Sequence, residues 1–192
     1  MNSNEIIERS ISEHLTAIKL VQGTLLESID RIGVALSRTL ASGGSVYWCG
    51  NGGSAADSQH LAAELVGRFN KDRRPLRSVA LTTDTSVLTC VANDFSYDDI
   101  FSRQIEALGR KGDALIGIST SGESVNVLNA LKVAKSLDIN TIALLGKTGG
   151  ACQGVADLSL VIPVHDTARI QEAHILVGHI LCELIEKELG LV

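Results

Sequence analysis

Aromatic residues are scarce: Phe, Trp and Tyr make up 3% of 192 residues, although 45% of the chain is hydrophobic. A core with so few rings must be built from Val, Ile, Leu and Ala, which suits an α/β sheet protein. Cysteine is also sparse. The four present, Cys49, Cys90, Cys152 and Cys182, form no C-x-x-C pair. This argues against a disulfide framework and for a reduced, cytoplasmic setting. Cys49 and Cys182 fall in apolar runs and read as small core residues. No basic run exceeds Lys71-Asp72-Arg73-Arg74, and the net charge is −5, so no nucleic-acid partner is expected. The amino terminus, Met1-Asn2-Ser3-Asn4-Glu5, is not a signal peptide. No apolar run reaches about 18 residues, so no membrane span or membrane partner is expected. The length fits one domain, residues 1–192, large enough to fold without disulfides or metals.

What the chain does have is glycine and hydroxyl residues at the ends of apolar runs. Val46-Tyr47-Trp48-Cys49 stops at Gly50-Asn51-Gly52-Gly53-Ser54, and small residues then open a helix carrying His60 and Glu64. A strand, a glycine loop and a helix start make an anion site, because the backbone can approach the guest and free N–H groups face it. The pattern returns at Ala114-Leu115-Ile116-Gly117-Ile118, followed by Ser119-Thr120-Ser121-Gly122-Glu123-Ser124 and another helix. Hydroxyls there can donate to phosphate or cap the helix. One such loop is explained as well by turn geometry alone; two in one chain favour a phosphorylated ligand. Neither is a Walker motif, and neither carries the dinucleotide fingerprint.

Residues 4–41 read as an amphipathic helical extension, with Asn4 as a cap and Gly23 as a breaking point. Its apolar stripe must be covered by its own domain or by another subunit. Strands are expected at Ser45–Cys49, Ser78–Leu81, Ala114–Ile118, Thr141–Leu145 and Leu158–Val164. Helices are expected from Ser54 to Arg68, Ser96 to Leu108, Val125 to Leu137 and Thr167 to Leu189, the last capped by Thr167. The alternation predicts a doubly wound, five-stranded parallel sheet flanked by helices, with ligand loops at the carboxyl ends of the strands. His60 and Glu64, four apart, share a helical face. They are either a surface pair or a pocket-facing one, and the small or apolar Leu61, Ala62, Ala63 and Leu65 around them favour the pocket. Asp57 is placed to support His60. Gln171 and His179 project from nearly one side of the last helix, about 12 Å apart, and His174 could share that side. His179 sits in an apolar run and needs a hydrogen-bond partner or a metal. His14 is given no role. Asn93-Asp94 reads as a turn.

Taken together, Cys49-Gly50-Asn51-Gly52-Gly53-Ser54, His60 with Ala63-Glu64-Leu65, Asn93-Asp94, Ile118-Ser119-Thr120-Ser121-Gly122 with Ser124, and Arg169-Ile170-Gln171-Glu172 with His179 resemble the SIS (sugar isomerase) domain. Within it they resemble the phosphoheptose isomerases. The likeness runs from Ile6 to Leu189. It implies an isomerase that converts D-sedoheptulose 7-phosphate to D-glycero-D-manno-heptose 7-phosphate, the first step toward activated heptose for lipopolysaccharide or a related glycan. It also implies a homotetramer with active sites between subunits. Carried over residue by residue, Asn51, Gly52, Gly53, Asn93, Asp94, Ser119, Thr120, Ser121 and Ser124 contact the sugar phosphate, with Glu64 and Gln171. His60, Glu64, Gln171 and His179 hold one Zn²⁺ per subunit, and Glu64 and His179 are the acid–base pair. Helix rise sets Glu64 about 15 Å beyond the first glycines, so the phosphate belongs in the serine loop and the sugar end along Asn51-Gly52-Gly53 and the His60/Glu64 face.

The alternative is a non-catalytic SIS module that associates with the replication initiator DnaA. Glu64 speaks against it, since a binding module has no use for that carboxylate. A sugar-phosphate-sensing regulator would bring a DNA-binding domain, and none is expected here.

Overall fold

The computed structural model describes residues 2–192. Five strands, β1 (Val46–Gly50), β2 (Ser78–Ala80), β3 (Ala114–Ser119), β4 (Asn140–Gly146) and β5 (Leu158–Ile162), form one sheet. Their order is β2-β1-β3-β4-β5, and every neighbouring pair is parallel. Covered on both faces, the strands carry continuous apolar runs rather than alternating ones. Within a run the two-residue period still sorts side chains. Val46, Trp48, Ile116, Ile142 and Leu160 face one core, and Tyr47, Cys49, Leu115, Ala143 and Leu145 face the other.

The first core is closed by α1 (Ser3–Thr24), α2 (Leu26–Ala41), α3 (Gly53–Val66) and α8 (Thr167–Glu188); the second by α4 (Thr85–Asp94), α5 (Ser102–Leu108), α6 (Val125–Ser136) and α7 (Gly150–Val155). The chain leaves β1 toward β2 and returns to build β3 on the other side of β1. The strand order therefore reverses at β1/β3. Parallel α/β sheets bind ligands at such a switch point, beyond the carboxyl ends of the strands. Gly50 is in register with Ile118, so the glycine loop and the serine loop leave the sheet side by side.

Several boundaries differ from expectation, each for a local reason. The cap of α1 is Asn2, not Asn4. The Asn2 Oδ1 accepts from Glu5 N at 3.0 Å, and Glu5 Oε2 accepts from Asn2 N at 2.8 Å, a capping box whose spacing Asn4 lacks. The helical break falls at Leu25 rather than Gly23, which stays inside α1. Asp166, not Thr167, caps α8, accepting from Ala168 N and Arg169 N; its charge also suits the positive end of the helix. The segment Ser96–Leu108 is not one helix but a 3₁₀ turn, Tyr97–Asp99, and then α5. The short α7 follows Gly149, where only turn was expected, and β1 runs one residue later than expected. Of the helical extension's apolar residues, Ile29, Ile32, Leu36 and Leu40 are buried within the domain, whereas Ile6, Ile7, Ile11 and Leu15 stay about half exposed.

α3 and α8 run side by side in the same direction. Gln171 meets Asp57 near both helix starts, His179 meets His60 further along, and Glu186 meets the chain just past the end of α3. Gly178 makes this approach possible. A Cβ there would lie 2.5 Å from Leu61 Cδ1, and Leu61 is itself fully buried.

Candidate active site

Two loops and two helices build the site. In the glycine loop, Gly52 has φ +56° and caps α3, a conformation that favours glycine. A side chain at Gly50 would collide with Ser54 and with the Ile118 carbonyl. Asn51 does more than line the loop. It exchanges two hydrogen bonds with Asn126 of α6, each 2.9 Å, and its Oδ1 also accepts from the Tyr97 hydroxyl at 3.0 Å. Asn126 is buried, so a polar cross-tie holds the two loops together. In the serine loop the Ser119 hydroxyl lies 3.0 Å from Ser124 Oγ and 3.3 Å from Ser121 Oγ, and it accepts from Gly122 N at 3.0 Å. Ser124 does not cap α6 with its side chain; its hydroxyl turns into the loop. Three hydroxyls thus gather ahead of a helix start, an arrangement suited to phosphate.

His60 and Glu64 share a face of α3, as the spacing requires, and that face looks at His179. His60 Nε2 is 2.8 Å from His179 Nε2 and 3.3 Å from Glu64 Oε1. One ligand atom from each of the three lies within 4.8 Å of the others. The second Glu64 oxygen has no partner among the described residues. Gln171 approaches the first turn of α3: its Nε2 donates to Asp57 Oδ1 at 2.7 Å, and its side chain lies over Gly53. Asp57 therefore accepts its hydrogen bond from Gln171, while His60, the expected partner, acts on it electrostatically. Burial, partly offset by the Gln171 hydrogen bond and by His60 and His179, raises the Asp57 pKa. Its second oxygen is buried and unpartnered.

Beyond α3 the chain folds around a buried ion pair. Arg73 Nε donates to Glu186 Oε1 at 2.8 Å, and the side chains are 2% and 0% exposed. Phe69, in the same turn, stacks on the His179 ring with centroids 5.5 Å apart.

Other expected residues fall elsewhere. Asn93 and Asp94 end α4, exposed. Asn93 Nδ2 donates to Asp94 Oδ1, and neither residue bonds to either loop or to α8. Their helix reaches the glycine loop through Leu88, and the turn that follows reaches it through Tyr97. His174 is buried away from the cluster, its Nε2 2.9 Å from the Leu145 carbonyl. His14, given no role, pairs with Glu172 at 2.7 Å and ties α1 to α8. Cys49 and Cys182 are core residues as expected, and burial pushes the Cys182 thiol up to about 12.

The chain and its fold have close counterparts. Residues 11–146 match the SIS domain family. The phosphoheptose isomerase of Aliarcobacter butzleri is 50% identical over 96% of this chain and 97% of its own. The solved phosphoheptose isomerase of Neisseria gonorrhoeae superposes with a TM-score of 0.93 at 42% identity, covering 97% of this chain and all of that one. The chain belongs to the phosphoheptose isomerase family of SIS domains. The counterpart from Francisella tularensis gives a TM-score of 0.94 at 36% identity, again over 97% of this chain and all of that one. The protein is thus an isomerase of sugar phosphates. The relatives named here are enzymes, which favours catalysis over a DnaA-associating module.

The donor set fits a metal ion. Two imidazole nitrogens and a carboxylate oxygen, a donor set that suits zinc, lie within 4.8 Å of one another. The 3.3 Å from His60 to Glu64 matches the edge of about 3.3 Å expected for tetrahedral bonds near 2 Å, and the 2.8 Å between the imidazoles is shorter and would have to open to admit an ion. Gln171 gives its N–H to Asp57, and its carbonyl oxygen has no partner among the described residues.

Sequence reasoning missed Asn126, Tyr97, Phe69, Arg73, Glu186 and Gly178. Only Gly178, a lone glycine in an apolar helical run, carried a local signal.

Proposed function

We propose that this isomerase converts D-sedoheptulose 7-phosphate to D-glycero-D-manno-heptose 7-phosphate in the cytoplasm, as the first step toward activated heptose for lipopolysaccharide or a related glycan. The observation that carries the reading is the convergence of Glu64, His60 and His179, in a fold that also gathers three hydroxyls in the loop after β3. A ketose-to-aldose shift moves a proton from C1 to C2 through an enediol and needs a base at carbon and a proton donor at the oxygens. The free Glu64 oxygen serves as the base at C1 and returns the proton at C2, while His179 handles the proton at the sugar oxygens. Ser119, Thr120, Ser121 and Ser124 hold the phosphate. Asn51, Gly52 and Gly53 line the path of the sugar; Asn93 and Asp94, exposed and unbonded to the loops in the single chain, would join them across the subunit interface proposed below. His60, Glu64, Gln171 and His179 would hold one zinc per subunit; when bound, it supplies Lewis-acid polarisation of the oxygens.

We further propose a homotetramer with active sites between subunits. At the glycine loop the single chain encloses only about 120 Å³, below the range of roughly 300 Å³ and upward typical of ligand pockets. Larger hollows, of about 420, 370 and 450 Å³, lie away from the cluster: one at the amino end of the sheet beside Arg77 and Arg110, one between Arg31 and Leu158, and one between Val79 and Leu108. In the proposed tetramer a second chain would close the site.

Isomerisation of sedoheptulose 7-phosphate, measured for the wild type and Glu64→Gln with and without a chelator, tests the reading. The variant is expected to lose roughly 10²- to 10⁴-fold in kcat, and chelation is expected to lower the wild-type rate. A wild type that shows no turnover with zinc supplied overturns the substrate assignment.

A further inference from the structure

The turn after α3 is organised in a way that its exposed, charged sequence does not announce. Arg73 turns inward and spends its guanidinium on backbone. Its Nη1 donates to the carbonyls of Leu65, Gly67 and Arg74 at 2.9–3.1 Å, and its Nη2 donates to the Glu64 carbonyl at 2.9 Å. Three of these carbonyls belong to the last residues of α3 and its cap, groups that have no acceptor role left inside the helix. Glu186, two turns beyond His179 on α8, completes the unit. It accepts from Arg73 Nε, from Phe69 N at 3.1 Å and from Asn70 N at 3.2 Å. A fully buried ion pair adds little net stability against well-packed apolar groups of the same size, and its more secure use is to fix one arrangement among several.

The arrangement fixed here is that of the proposed acid–base pair. Arg73 grips the backbone of Glu64 itself. Glu186 grips the backbone of Phe69, whose ring stacks on His179 at an interplanar angle of 26°. His179 is otherwise met edge-on by His60. Two helices contribute one reacting group each, and the clamp sits where both can be held at once. We infer that Phe69 is a positioning residue for His179, held in place by the Arg73–Glu186 clamp, and that this clamp sets the geometry in which Glu64 and His179 act together. The inference rests on the function proposed above.

The test uses kcat and KM for sedoheptulose 7-phosphate in the full-length protein. Phe69→Leu keeps an apolar side chain but removes the ring face; Phe69→Tyr keeps the face. Arg73→Lys keeps the charge but cannot serve four carbonyls. The expected result is a fall of about tenfold or more in kcat for Phe69→Leu with KM changed less than twofold. Phe69→Tyr should stay within about twofold of the wild type. Arg73→Lys should repeat the kcat-selective loss at a temperature well below its own melting point. A purely structural role would instead leave kcat unchanged in whatever fraction stays folded. Wild-type kcat in folded Phe69→Leu, or a loss equal in Phe69→Leu and Phe69→Tyr, overturns the inference while the isomerase reading stands. A wild type without turnover removes both.

Discussion

His174 lies fully buried on α8, with Nε2 against the Leu145 carbonyl and Nδ1 unpartnered. Burial, only partly offset by that hydrogen bond, pushes its pKa down to about 4 from 6.5. The unfolded chain therefore takes up a proton that the folded chain refuses. The stability linked to His174 is complete above pH 6.5 and is lost as pH falls toward 4, by roughly 3 kcal/mol over the window. Glu186 acts in the same direction at lower pH. Although burial raises its pKa, the hydrogen bonds from Phe69, Asn70 and Arg73 lower it further than that. Its contribution is present above the ordinary carboxylate range and disappears as pH falls through the depressed value. Urea unfolding at pH 7, 6, 5 and 4 should show the wild type weakening steadily. His174→Gln, which keeps a donor for Leu145, should start lower but decline less steeply between pH 6.5 and 4. Equal slopes would show that His174 is not the group responsible.

At the scale of elements, the pairing of α3 with α8 decides whether residues 119 positions apart can meet. Gly178 sets that spacing. Gly178→Ala places a methyl group 2.5 Å from the fully buried Leu61, and overpacking of this kind costs about 1–3 kcal/mol. It should also separate His179 from His60 and lower kcat beyond what the lost stability explains. Leu61→Ala by itself is expected to cost about 2–5 kcal/mol. The double variant should be less destabilised than the sum of the two, because the new methyl group partly fills the space left by the leucine. Strict additivity in chemical denaturation would mean that the two side chains do not compete for one space.

Across the whole molecule, the amino-terminal half of α1 keeps Ile6, Ile7, Ile11 and Leu15 at 44–55% exposure, an apolar stripe that the single chain leaves uncovered. Contiguous exposed apolar surface marks an interaction site, in keeping with the proposed tetramer. Light scattering should report a particle four times the 20.3 kDa of one chain. Ile7→Glu combined with Ile11→Glu should shift it to smaller species and reduce activity with them. A monomeric, fully active wild type would contradict both the tetramer and the shared site. Among the described residues, no helix is long and apolar enough to cross a membrane.

The sequence by itself determined what depends on neighbours along the chain. Strands buried on both faces must be apolar throughout, so β1, β3 and β4 were legible to within a residue or two. The glycine and serine loops follow from backbone geometry, and the shared face of His60 and Glu64 follows from helical period. Local chemistry was harder to read where two candidates stood close together: Asn2 outcompetes Asn4 because only Asn2 has a glutamate three residues on, and Asp166 outcompetes Thr167 because it offers a charged acceptor to two N–H groups. The tertiary structure decided the rest. Asp57 accepts from Gln171, Asn51 finds Asn126, and Arg73 finds Glu186, partners 114, 75 and 113 residues away. The first and last depend on α3 and α8 lying parallel, and the second on the strand order that sets the two loops side by side. No periodicity encodes that, because it arises only when separate apolar faces share one core.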